Sequence, residues 1–182
     1  MLHYLDLDNP MLCLIEALKT NTVISSLIVK LDVGIIPDAL IEVLRHRQSL
    51  RNLSLSGKFT EMGCVILGEV LATLDLSSFR LFSTFPRLEP IKSGLMMNTN
   101  LSQMSVRFKN ITTDERMAFI LYFINRVNSL TICDMLKQSE CDTLFTALAN
   151  NTSLISLHLG IIYQSPILEN ALRTNTTLTQ LD

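Results

Sequence analysis

Cys133, Asp134 and His158 are the one grouping in the chain whose residue types could do nucleophilic chemistry together. A thiol nucleophile needs a base within hydrogen-bond reach and a third group to orient that base. Read on parallel strands, Cys133 and His158 lie in neighbouring units two positions out of register. That places their Cα atoms ~8 Å apart. No oxyanion pocket is implied beside them, so an accidental grouping is the simpler reading. Metal chemistry has less support, because His3, His46 and His158 are far apart in sequence with no ligand-like spacing. Phosphate-cradling motifs need clustered glycines, and the six glycines here form neither G-x-x-x-x-G-K-[ST] nor G-x-G-x-x-G. No cofactor is called for.

The elements that would carry these residues recur. The register L-x-x-L-x-L begins at Leu154 ("LISLHL"), at Leu50 ("LRNLSL") and at Leu2 ("LHYLDL"). Looser copies give starts near 2, 24, 50, 76, 101, 127, 154 and 178, spaced 22–27 residues apart. A second landmark keeps phase: Leu18, Leu44, Leu95, Leu121, Leu148 and Leu172 each precede a start by six positions. Two landmarks in step over the whole length mark a stacked-repeat architecture. The expectation is one domain over residues 1–182, of about seven repeats.

Each unit reads as strand, loop and helix. The apolar positions of L-x-x-L-x-L point inward and the x positions outward, and parallel strands need a crossover, usually helical. Pro10, Pro37, Pro90 and Pro166 lie 14, 13, 11 and 12 residues ahead of the next start, where proline suits the first position of a helix. Asn9 and Ser165 are expected N-caps, and Ser139 with Asp142 an expected capping box. In "PDALIEVLRHR", Leu40, Val43 and Leu44 share a face, and Glu42, Arg45 and Arg47 are expected on a solvated one.

Composition narrows the function classes. The 182 residues are 48% hydrophobic with net charge −2, which gives no general attraction to nucleic acid or anionic membrane. Lys30, Arg80, Arg107 and Lys109 are too few for a nucleic-acid stripe and are diluted by Asp6, Asp8 and Asp134. "MAFILYF" is too short to span a bilayer, so the mean hydropathy of +0.33 reflects repeat leucines. Leu2 belongs to the first repeat, and no signal peptide is read. Four cysteines without C-x-x-C spacing fit a reducing compartment. The N-x-S/T sites at Asn52, Asn100, Asn110, Asn150, Asn151 and Asn175 sit beside or within repeat strands, where glycans would obstruct stacking. A cytoplasmic setting is expected.

"LRNLSLSG", "LISLHLG" and the junctions Ala147-Leu148-Asn151-Leu154 and Ala171-Leu172-Asn175-Leu178 resemble leucine-rich repeat proteins of the ribonuclease-inhibitor type, over essentially the whole chain. The resemblance implies an α/β solenoid, a horseshoe with a parallel concave sheet and helices on the convex side. That family usually has Asn or Cys just after the strand; here Asp32, Lys58, Thr84 and Lys109 stand there, in what this register makes a loop. The Asn-Thr-rich repeats are also similar to leucine-rich repeat effectors of intracellular bacteria such as Legionella, which would put the chain in a host cytosol.

The outward columns are mostly small and polar: Tyr4, Ser26, Asn52, Ser78, Gln103, Ser129, Ser156 in one, and Asp6, Ile28, Ser54, Arg80, Ser105, Thr131, His158 in the next. Arg80 and Phe82 in one repeat and Arg107 and Phe108 in the next are the large exceptions. Strands ~4.8 Å apart would bring them into one patch, and arginine and aromatics are enriched at binding hot spots. Each phenylalanine has a second reading, tucked into the ascending loop as core. Tyr4, Asp6 and Asp8 form a smaller acidic patch, and His158 with Tyr163 another candidate contact. The expected function is a non-catalytic module that binds a partner protein, an enzyme it blocks or a host protein it engages. The alternatives are a substrate-recruiting module of a larger chain and a cysteine-dependent enzyme. Neither end carries a polar cap in sequence, and "LDLDNP" puts charge near the first edge. Fraying or self-association is therefore expected at the last repeat.

Overall fold

The computed structural model describes residues 10–160, 163 and 165–182. It is an α/β structure with a parallel sheet of seven strands and seven helices among the described residues. The strands are β1 Ser26–Ile35, β2 Asn52–Lys58, β3 Ser78–Thr84, β4 Gln103–Lys109, β5 Ser129–Ile132, β6 Ser156–Leu159 and β7 Gln180–Leu181. The helices are α1 Pro10–Thr20, α2 Asp38–Leu44, α3 Glu61–Thr73, α4 Glu89–Met96, α5 Thr113–Phe123, α6 Gln138–Ala149 and α7 Pro166–Thr174. Strand order follows chain order, so every strand pairs only with its neighbours in sequence.

Period-two alternation decides which face is buried. In β2, Leu53 and Leu55 are 1% exposed, while Asn52 and Lys58 face out. The register carries this across the sheet: Leu53 pairs with Phe79, Phe79 with Met104, Met104 with Leu130 and Leu130 with Leu157, all buried. The helices supply the other half of the core through Leu40, Leu44, Leu67, Leu71, Ile91, Leu95, Ile120, Phe123, Leu144 and Leu148. Removing these side chains from water at ~25 cal/mol per Å2 is the main favourable term. In α7, Ala171 is fully buried but Leu172 stays 45% exposed.

Helix α3 lies against α4 through two glycines. A Cβ on Gly94 would stand 2.0 Å from the Gly68 carbonyl oxygen, and one on Gly68 would stand 2.3 Å from the Pro90 oxygen. The two backbones touch there with no room for a side chain.

At three of the strand motifs the turn from helix to strand is held by an asparagine three residues before the start. Asn151 Nδ2 donates to the Ile124 carbonyl at 2.7 Å, and its Oδ1 accepts from the N–H groups of Ser153 and Leu154. Asn175 repeats this against Leu148, Thr177 and Leu178. Asn98 does so against Leu74 and Asn100. In the second unit the position is Arg47, which donates to the Asn21 carbonyl at 2.9 Å and is 5% exposed. The expected solvated face therefore does not include Arg47. It stands where a buried hydrogen-bond donor is required.

The helix starts correct two further expectations. Ser139 lies inside α6, which begins at Gln138; Glu140 reaches back to the Lys137 N–H at 2.7 Å and supplies the cap. Pro90 occupies the second position of α4. As expected, Ser165 caps α7, its hydroxyl accepting from Ile167 N at 3.2 Å. Asn9 lies outside the described residues. Lys58, Thr84 and Lys109, expected in loops, are the last residues of paired strands. Aromatic rings pack beneath these strand ends: Phe59 stacks on Phe85 at 5.5 Å between centroids, Phe85 meets Phe108 at 6.5 Å, and Phe108 meets Phe119 of α5 at 5.2 Å.

Candidate functional site

The outward face of β1–β4 is built from alternate strand residues. In register across it run Ile28, Ser54, Arg80 and Ser105, then Lys30, Ser56, Phe82 and Arg107, then Lys58, Thr84 and Lys109. Serines and threonine leave the backbone nearly bare, so the few large side chains enclose hollows. One, of about 250 Å3, lies at the N-terminal ends of the strands among Ile28, Asn52, Ser54, Ser78, Arg80 and Gln103. A second, of about 270 Å3, lies at their C-terminal ends among Ser56, Gly57, Lys58, Phe82, Arg107 and Lys109. Arg80 borders the first and Phe82 and Arg107 the second, so the three expected residues link the two hollows.

Arg80 and Arg107 are exposed, and Phe82 is half-buried. The Arg107 guanidinium lies over the Phe82 ring, 5.7 Å from its centroid. That contact orders the arginine while leaving its N–H donors free for a ligand. Ile28, 64% exposed, adds apolar surface at the edge of the first hollow.

Phe108 does not belong to this face. It follows Met104 and Val106 on the inward side of β4, is 5% exposed and packs between Phe85 and Phe119. Its register partner on β3 is the small buried Ser83. Its backbone N–H is also tied down, donating to Asp134 Oδ2 at 2.7 Å. Strand β5 stops at Ile132, so this carboxylate continues the ladder that the strand no longer supplies. Burial pushes the Asp134 carboxyl above its usual range, against the opposing pull of the Phe108 N–H and of Arg116 and Arg107.

Tyr4, Asp6 and Asp8 lie outside the described residues. His158 is on the outward face, paired with Thr131 on β5 and two strands beyond Ser105. It is therefore ~14 Å from Arg80 at ~4.8 Å per strand. Its Nδ1 stands 3.2 Å from Asp182 Oδ2. Tyr163 packs partly against the core. Cys133 donates its backbone N–H to Val106 and lies beside Gly160, and among the described residues no hydrogen bond joins it to His158. Asp134, the third member of that grouping, is engaged with Phe108 instead. No group of three His, Cys, Asp or Glu that could hold a metal occurs among the described residues.

Lys58 and Lys109 are site residues that sequence reading set aside as loop positions. The parity of their positions carried the signal: each is two residues past an outward residue, Ser56 or Arg107. Lys30, Lys58, Arg80, Arg107 and Lys109 are all exposed, and none makes an ion pair among the described residues. The ion-paired cations lie elsewhere. Lys19 bonds Glu16, Lys92 bonds Glu89 and Arg173 bonds Glu169 on helices, and Arg45, just past the end of α2, bonds Glu42 and Glu69.

No helix among the described residues is long and apolar enough to cross a membrane. No family model matches the chain, and no curated protein matches it. Among solved structures the chain is similar to "Leiomodin-1 Actin-Binding Site 2 (ABS2)", at 12% identity over 87% of each chain with a TM-score of 0.45. A likeness that distant carries no functional conclusion.

Proposed function

We propose that the chain is a leucine-rich repeat solenoid of the ribonuclease-inhibitor type, acting as a non-catalytic module that binds a partner protein on its concave face. The fold part of this reading rests on the 22–27-residue repeat and on strands that pair only with their sequence neighbours. The functional part rests on one observation. Arg80, Phe82 and Arg107 project together, the arginines without ion-pair partners among the described residues, from the middle of a face whose neighbouring positions Ser54, Ser56, Ser78 and Ser105 are small and polar. Isolated arginines over an aromatic ring, with hollows on either side, have the composition of an interface centre. The partner is an enzyme that the module blocks or a host protein that it engages in the cytosol.

Photocrosslinking tests the reading. A benzoylphenylalanine at Ser105, on the outward face, should capture a defined protein in the cell where the chain acts. The same probe at Glu69, on the outer side of α3, should not. Equal capture from both positions, or capture only from Glu69, would contradict it.

A further inference from the structure

The charge on this surface is segregated in a way the net charge of −2 hides. Five cations, Lys30, Lys58, Arg80, Arg107 and Lys109, face outward from four consecutive strands. Asp134, whose carboxyl feels the charge of Arg107, is half-buried and already accepts from the Phe108 N–H. Five like charges without an ion-pair contact among the described residues repel one another on a structured sheet, and an anion relieves that repulsion on binding.

Four of the five form a row at the C-terminal ends of the strands. From Lys30 on β1 to Arg107 on β4 is three strand spacings, ~14 Å, and from Lys58 to Lys109 is two, ~10 Å. An extended peptide places alternate side chains ~7 Å apart on one side. Three alternate carboxylates therefore span ~14 Å, the length of the row. The hollow among Lys58, Arg107 and Lys109 holds about 270 Å3, with the edge of Phe82 as an apolar floor. Nucleic acid fits less well. It needs aromatic rings free for base stacking, and Phe82 is half-buried with Arg107 already over it.

We propose that the cation row at the C-terminal ends of β1–β4 grips an extended acidic segment of the partner protein, with alternate carboxylates seated between Lys30, Lys58, Arg107 and Lys109. This rests on the protein-binding reading above and specifies the chemistry of what is bound. Lys58 and Lys109 lie outside the Arg80–Phe82–Arg107 centre, so their substitution tests the acidic segment without removing that centre.

The test uses the full chain and three fluorescein-labelled probes: octaglutamate, octaglutamine and an eight-nucleotide uridine RNA. Octaglutamate should bind at 20 mM salt and weaken at least tenfold by 200 mM, and octaglutamine should not bind. Lys58→Glu/Lys109→Glu should weaken octaglutamate at least tenfold while its circular dichroism stays that of the wild type. Absence of octaglutamate binding at low salt, or equal binding by the double variant, overturns the proposal. So does RNA that binds more tightly than octaglutamate and is lost in the same variant, which would assign the row to nucleic acid. Capture from Ser105 that persists in the double variant, together with unchanged octaglutamate binding, retains the protein-binding reading and rejects the acidic segment alone.

Discussion

Replacing Gly94 by alanine should destabilise the protein, against the usual effect of that change in a helix. Alanine in a helix interior is favoured over glycine by ~1 kcal/mol. Here the added Cβ would lie 2.0 Å from the Gly68 carbonyl oxygen and 2.8 and 2.9 Å from the Gly68 carbonyl carbon and Cα. All three are backbone atoms, so no side-chain rotation relieves the contact; α4 must move off α3 by about 1 Å. That movement loosens Leu67, Leu71, Ile91 and Leu95, all fully buried. Overpacking of this kind costs ~3 kcal/mol or somewhat more, leaving a net loss of ~2 kcal/mol after the propensity gain. For a chain of this size that is a fall in Tm of ~4–8 °C. Calorimetry and urea unfolding should compare Gly94→Ala with Ser93→Ala, an exposed site on the same helix. The control should be neutral or slightly stabilising. A Gly94→Ala protein as stable as wild type would refute the backbone contact between the helices.

Three further outcomes follow from buried groups and from the open face. Asn151→Ala leaves the Leu154 N–H without its partner and the Ile124 carbonyl with the Ser153 hydroxyl alone; it should cost ~2 kcal/mol in urea unfolding, since a buried unpaired group costs about 1–3. Glu140 is 2% exposed and bonded to Arg116. Burial raises its carboxyl, but the Arg116 guanidinium and the Lys137 N–H together hold it below the usual range. A depressed folded value means the stabilisation is present above the unfolded value, near pH 4.5, and is lost as pH falls through the folded one. Glu140→Gln should therefore cost ~3 kcal/mol at pH 7, and the gap to wild type should narrow in acid; a gap independent of pH would contradict the pairing. Phe82→Ala should leave stability within ~1 kcal/mol, because the ring is half-exposed, whereas Phe108→Ala should cost ~3–5 kcal/mol as a buried aromatic; thermal melts of the two check which phenylalanine belongs to the core.

What was legible in the sequence was whatever repeats. The register of L-x-x-L-x-L places Leu53, Phe79, Met104, Leu130 and Leu157 opposite one another, as found. Arg80, Phe82 and Arg107 share a face for the same reason. The misreadings arose where local geometry departs from the repeat. Phe108 has inward parity with Met104 and Val106, and adjacency to Arg107 in sequence obscured it. Arg47 reads as a surface charge on a helical wheel, but α2 ends at Leu44, so the wheel no longer applies. Lys58 and Lys109 read as loop because the motif ends at Leu55 and Val106, while β2 and β4 run three residues further and stay paired to the end. The Thr112–Glu115 capping box of α5 is written plainly in "TTDE" and marks the start of that helix.

The most direct measurement is the affinity of the partner captured at Ser105 for three purified variants: Arg80→Ala, Arg107→Ala and, as control, Arg173→Ala on α7. Truncation at an interface centre costs ~2 kcal/mol or more, about a thirtyfold rise in Kd. Arg80→Ala and Arg107→Ala should each show a rise of that size, and Arg173→Ala none. Wild-type affinity in both open-face variants would contradict the claim that this face binds the partner.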